Sequence, residues 1–312
     1  MPNEQRKAYL AALGFSLIIG FSFLASKIAL RSASPADILS YRFFFAFFAL
    51  LLVLLLRPSR LGLHKKDLLR ILPLSLFYPL GFFSLQLLGL QKVSSAQAAI
   101  IQASIPFLTL VLATVFLKEK SSGRQRFFMA LSLSGVLLIA LWTQKGKIAE
   151  SPWGMVLLFL SAIASASNMV LIRKFSRRYS AFSLAALAIF SGFLVFGAAS
   201  LGEHLYQGTL ASYFSPLQDW PFLLSVIFLG IFSTLGTALL SNYALTRMEA
   251  SRMSIFQHLS TVISILAGIL FLDETLSPVQ VLGAVLIVAG VMGTQKRTRS
   301  FGADPAGSLK KD

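Results

Sequence analysis

FLKEKSSGRQ, residues 116–125, and FLDETLSPVQ, residues 271–280, are one device written twice. Each closes an apolar run on an acidic residue, turns through a Ser, and opens the next apolar run with Gln three residues beyond that Ser. The Ser hydroxyl can accept from a free amide of the new helix while the Gln reaches back to the Ser amide, so both stretches read as capping boxes. Pro278 at the first helical position strengthens the second box. The offset between the two copies is 155 residues, and it extends outward: Gln102, Glu119, Ser122, Gln125 and Gly135 meet Gln257, Glu274, Ser277, Gln280 and Gly290. Apolar matches arise cheaply in such sequence, but polar and Gly matches at a constant offset do not. The chain reads as a duplication.

Around the boxes, the chain of 312 residues is 56% hydrophobic and 13% charged, with a mean hydropathy of +0.75. That balance belongs to a protein embedded in a bilayer rather than to a soluble domain. About 20 apolar residues of helix cross the ~30 Å hydrocarbon core. Stretches of that kind fall at 9–29, 36–56, 68–90, 94–117, 124–142, 153–173, 181–201, 221–245, 253–272 and 278–294. The first is too long for a signal-peptide core and lacks a small-residue cleavage site, so it is read as a retained helix.

The net charge of +16 is explained by placement. Arg42 falls within the second stretch; Lys27, Arg31, Lys92, Lys145 and Lys147 fall at one set of helix ends, and the other Lys and Arg residues fall at the opposite set or in the tail. This positive-inside pattern puts both termini in the cytoplasm. Basic residues at membrane ends need no nucleic-acid partner; the lipid bilayer is partner enough. With an odd number of spans per half, the halves enter from opposite sides. The expected fold is an all-α membrane protein of ten transmembrane helices in two inverted five-helix repeats, residues 1–148 and 149–295. A disordered, basic cytoplasmic tail, 296–312, follows. The plasma (inner) membrane is the expected location, and the oligomeric state is not readable. The chain has no Cys, which removes disulfides, thiolate nucleophiles and Cys-bound metal; no metal site or cofactor is expected.

Glu119 and Glu274 are expected to stabilise helix ends beside Ser122 and Ser277, since a carboxylate is favoured near a helix N-terminus. The helix N-termini expected for them are those of the fifth and tenth spans. Ser95, Ala99, Gln102, Pro106, Thr109 and Ala113 share one face of the fourth span, and the 155 offset sends them to Ala250, Ser254, Gln257, Thr261, Ser264 and Gly268. Such small, polar stripes either pack closely on other helices or face a shared aqueous cavity. Gln102 and Gln257 favour the cavity, because an amide facing lipid needs a partner. Tyr78, Phe82 and Gln86 form an aromatic and amide face on the third span; Asn168, with Ser161 and Ser165, and Asn242, with Tyr243, are further candidates. Arg42 must snorkel, pair, or meet water or an anionic part of a ligand. Lys27 is expected to snorkel. His258 follows Gln257 and is read either as a hydrogen-bonded structural His or as a proton-coupling group.

The Glu-ended fourth and ninth spans, Gly135 and Gly290 in the fifth and tenth, Arg42, Pro106 and Trp153-Gly154 together resemble the EamA type of the drug/metabolite transporter superfamily. The resemblance runs to about residue 295. It implies a cavity between the halves, open to one side at a time, and solutes such as amino acids, metabolites or drugs. Ile19-Gly20 stands where many relatives carry Trp-Gly, so no role of that Trp is carried over. The expectation is an alternating-access carrier exporting amino acids or similar small amphiphilic metabolites, with a small-molecule substrate as its partner. An exchanger of anionic metabolites is the rival within transport. An intramembrane lipid-acting enzyme would need two acid/base groups at depth, and a scaffold would bind partners without flux. No Asp or Glu falls in mid-span, and no phosphate loop, HExxH pair or GxSxG elbow is present. An enzyme, ATP drive and a carboxylate-based ion pump therefore lack support.

Overall fold

The computed structural model describes residues 2–56, 72–116, 122–142, 151–175, 179–245, 247 and 250–295. Glu119 and the tail beyond Gln295 lie outside the described residues, as do the side chains of Asn242, Gln257 and His258.

Among the described residues the architecture is helical. In chain order the helices are α1 (Pro2–Ala29), α2 (Pro35–Leu56), α3 (Leu72–Leu90), α4 (Ser95–Phe116) and α5 (Gly123–Trp142). They continue as α6 (Pro152–Phe175), α7 (Ala181–Gln207), α8 (Trp220–Ser241, running on to Leu245), α9 (Ala250–Leu272) and α10 (Pro278–Gln295). Seven of these, α1 to α4 and α6 to α8, are long and apolar enough to cross a membrane, and α9 and α10 contain shorter apolar helices. Their outward faces carry large apolar side chains such as Leu55, Phe116 and Leu270, which suits lipid rather than water.

Three helices depart from regular geometry, each for a local reason. In α3 the residue before Pro79, Tyr78, takes an extended backbone (φ −147, ψ 118), as a residue preceding proline prefers. In α4 the helix stops at Gln102 and resumes at Ile105. Ala103 and Ser104 donate to Ile100 and Ile101, a tightened turn, and Pro106 lacks the N–H that would bond the Gln102 carbonyl. The residue 155 positions on is Thr261, and α9 runs through it unbroken. In α8 the stretch Phe228–Gly236 is a π-helix, a form that recurs at functional positions.

Close approach is set by small residues. A Cβ at Gly290 would lie 2.6 Å from the Ser132 nitrogen and 2.7 Å from the Phe128 oxygen, and one at Gly135 would lie 2.7 Å from the Gly283 oxygen. The α5–α10 pair is thus packed backbone to backbone. Elsewhere α1 packs along α8 and α9, α2 along α7 and α8, and α6 along α3 and α4.

Both capping boxes form with the same geometry. Gln125 Oε1 accepts from the Ser122 amide at 2.8 Å and Ser122 Oγ accepts from the Gln125 amide at 3.2 Å. Ser277 and Gln280 repeat this at 2.8 and 3.2 Å.

Candidate functional site

Between the helices lies a cavity of about 410 Å³, within the range that holds small-molecule ligands, about 300–1,000 Å³. Its walls come from α1, α2, α3, α4, α6, α8 and α9. A second space of about 210 Å³ shares Tyr78, Asn168 and Ser241 with it and extends toward Leu74 at the start of α3 and Leu184 near the start of α7.

The cavity gathers much of the sequence-level site. Arg42, Tyr78, Phe82, Gln86, Gln102 and Asn168 all line it. Gln102 Nε2 donates to Ser161 Oγ at 2.9 Å, while its Oε1 has no hydrogen-bond partner. One end of the amide is thus left without a partner. Tyr78, Phe82 and Phe83 form a ring cluster with centroids 4.7–5.3 Å apart, an apolar platform on one wall. From the stripe on α4, Ala99, Gln102 and Pro106 reach the cavity; from that on α9, Thr261 does. Tyr243 is elsewhere: its hydroxyl donates to Glu4 Oε2 at 3.3 Å, and the Arg247 guanidinium sits 3.9 Å over its ring.

Arg42 does not snorkel. It is 4% exposed; Nε donates to Thr234 Oγ1 at 3.0 Å and Nη2 to Ser233 Oγ at 3.3 Å. The guanidinium carbon lies 4.0 Å from the Phe83 centroid, a cation–π contact. Ser233 and Thr234 belong to the π-helical stretch of α8. Sequence reasoning missed them, although three hydroxyls at 233, 234 and 237 in an apolar helix were a visible signal.

Polar contacts tie helices together at one end of the bundle. Lys27 Nζ donates to the carbonyls of Leu90 at 2.6 Å and Val93 at 2.5 Å. The snorkelling expectation for Lys27 is therefore corrected: carbonyls at the end of α3 are within reach and replace water. Glu274 is likewise re-assigned. Its Oε1 accepts from the Ser95 amide at 2.7 Å, and its Oε2 accepts from the Ala96 amide and Ser95 Oγ, both at 2.9 Å. The carboxylate does serve a helix N-terminus, but that of α4, not α10. The cause is the end of α9: Asp273 adopts φ 54 and the Glu274 amide donates back to Gly268 at 3.2 Å. The left-handed residue, a conformation Asp tolerates, and the bond back across six positions end α9 here. Glu274 is thereby aimed across at α4.

At the same end Tyr213, on the segment joining α7 to α8, is buried against α2. Its hydroxyl pairs with Ser40 Oγ at 2.8 Å, its carbonyl accepts from Tyr41 at 2.5 Å, and the two rings stack at 5.2 Å. Asp37, in the first turn of α2, is buried too; Ser200 donates to it at 2.5 Å and His204 Nε2 lies 3.2 Å away. Among the described residues no cluster of three or more His, Cys, Asp or Glu could hold a metal.

Three comparisons bear on this arrangement. The EamA-like transporter family pattern matches residues 6–141 and 152–294. A protein of Bacillus subtilis (strain 168) named as an uncharacterized transporter, YcxC, is 42% identical over 306 residues, covering 96% of this chain and 97% of its own. An uncharacterized transporter of Archaeoglobus fulgidus is 28% identical over 274 residues (87% and 92% of the chains). An S-adenosylmethionine/S-adenosylhomocysteine transporter of Chlamydia trachomatis serovar L2 is 28% identical over 187 residues, 58% of this chain and 56% of its own. One crystal structure, of a chain 18% identical, superposes with a TM-score of 0.57 over 94% of this chain and 98% of that one, a likeness of fold alone. The chain is a multi-pass membrane protein and belongs to the EamA-like transporter family.

Proposed function

We propose that this transporter is an alternating-access carrier that exports amino acids or similar small amphiphilic metabolites from the cytoplasm. The carrying observation is the cavity itself. Its walls draw on helices before and after residue 148, and its lining mixes buried polar groups with an aromatic platform. Two inverted five-helix repeats, 1–148 and 149–295, account for the packing: α1 on α9 mirrors α6 on α4, and α1 on α8 mirrors α6 on α3. The two separate stretches matched by the family pattern support the same division.

The positive-inside distribution orients the carrier with both termini and the basic tail 296–312 cytoplasmic, in the plasma membrane. The tied end, with Tyr213, Glu274 and Lys27, then faces out, and the spaces beside Tyr78 and Asn168 extend inward. The role proposed for Gln102 extends to Gln257 on their equivalence at the 155-residue offset. S-adenosylmethionine, named for one relative, is itself an amino-acid derivative, which agrees with an amphiphilic solute.

The test is flux. Inside-out vesicles containing the protein should accumulate labelled amino acids faster than vesicles lacking it, and Gln102→Ala should weaken that uptake. Equal accumulation with and without the protein, across a panel of amino acids and their derivatives, refutes the export reading.

A further inference from the structure

The cavity contains a buried cation, Arg42, that no acid among the described lining residues balances. A guanidinium has five N–H donors; in Arg42 two meet hydroxyls and its face meets Phe83. Among the described residues that line the cavity there is no Asp or Glu. Hydroxyls and a ring face solvate a cation partly, yet a charge in a low-dielectric interior is stable chiefly when paired. Arg42 is nonetheless one of the lining residues, so an incoming group can complete its donor set. The planar fork suits a two-oxygen acceptor, which can take two parallel N–H donors. Beside it, Tyr78 and Phe82 offer ring faces to whatever is attached to that acceptor.

We infer that the solute carries a carboxylate or an equivalent oxyanion that docks on Arg42, joined to an apolar or aromatic body that rests on Tyr78 and Phe82. This rests on the cavity being the solute site. It makes positive charge on the solute optional and negative charge obligatory, which narrows small amphiphiles to acids and zwitterions. The competing account gives Arg42 only a bracing role, holding the π-helical stretch of α8 against α2 through Ser233 and Thr234.

Purified wild-type protein is titrated by calorimetry and thermal shift with three matched acid–amide pairs: propanoate and propanamide, 3-phenylpropanoate and 3-phenylpropanamide, indole-3-propanoate and indole-3-propanamide. A charge-assisted bidentate contact predicts that each aromatic acid binds at least about tenfold more tightly than its amide. The aromatic acids should also outbind propanoate. In Arg42→Gln the acid should fall to the level of its amide while the amide is unaffected, and Phe82→Ala should weaken acid and amide together. Should Arg42→Gln fail to fold, the wild-type acid–amide ratio decides alone. Equal binding of acid and amide, no binding of any acid, or protection by chloride matching that by the acids overturns the inference and leaves Arg42 as a brace. Acid preference without vesicle flux would instead remove the carrier reading and keep the site.

Discussion

Replacing Glu274 with Gln tests the hydrogen-bonded tie between the end of α9 and the start of α4. The carboxylate accepts three hydrogen bonds at 2.7–2.9 Å, from two amides of the first turn of α4 and from Ser95 Oγ. A Gln can keep its oxygen on the Ser95 amide and offer its NH2 group to Ser95 Oγ, but the Ala96 amide then faces a donor. The loss is one hydrogen bond to a charged acceptor, worth about 1.5–3 kcal/mol, plus the charge–dipole contribution at the helix N-terminus, about 0.3–1 kcal/mol. The total, about 2–4 kcal/mol, corresponds to a fall in Tm of about 4–16 °C by the scaling for large domains. Thermal unfolding of purified wild-type and Glu274→Gln protein in the same detergent reads it directly. The N-cap Ser94, whose Oγ accepts from the Gln97 amide at 3.1 Å, is untouched by this change, so the loss is confined to the inter-helix tie. An unaltered Tm would refute the assignment of Glu274 as the tie between these helices.

Further predictions concern the packing and the Lys27 contacts. Gly290→Val forces its side chain into the backbone of α5, where the Phe128 oxygen and Ser132 nitrogen lie within 2.7 Å of even a Cβ. It should cost about 1–3 kcal/mol or more by overpacking, whereas Gly197→Ala, inside α7 with nothing within 4 Å, should stabilise by about 0.5–1 kcal/mol; denaturation midpoints of the two variants separate them. Lys27→Met removes the cation from the Leu90 and Val93 carbonyls and should lower stability by about 1.5–3 kcal/mol. A residue that merely snorkelled would be replaced at almost no cost.

Helix positions were legible because about 20 apolar residues per span leave little freedom, and the capping boxes were legible because their partners are three residues apart. What the sequence hid was mostly tertiary. The residues around Glu274 announced a helix end, but not that the Asp273 turn would send the carboxylate to Ser95, 179 positions away in sequence. Lys27 and Arg42 both looked like snorkelling candidates, since hydropathy counts the charge and not the carbonyls and hydroxyls another helix presents. Local misses had local causes. The first helix begins at Pro2 rather than residue 9, since its first turns are polar, with Glu4 and Lys7 paired at 2.9 Å, and a search for apolar runs does not register them. At its far end α7 continues to Gln207, until Gly208 turns it at φ 68. The break in α4 was readable from Pro106 and explains why the Gln102 carbonyl loses its helical donor at the cavity wall.

The claim on which the rest depends is that one cavity is reachable from one side of the membrane at a time. The chain has no native Cys, so Ser165→Cys, in α6 on the cavity wall, places a single thiol there without background. In sealed membranes without solute, an impermeant thiol reagent should label it from the cytoplasmic side and not from outside. Adding transported solute, or introducing Glu274→Gln, should make it reactive from outside as well. Equal labelling from both sides at rest, or labelling from outside alone, would contradict a carrier closed at the Tyr213 end.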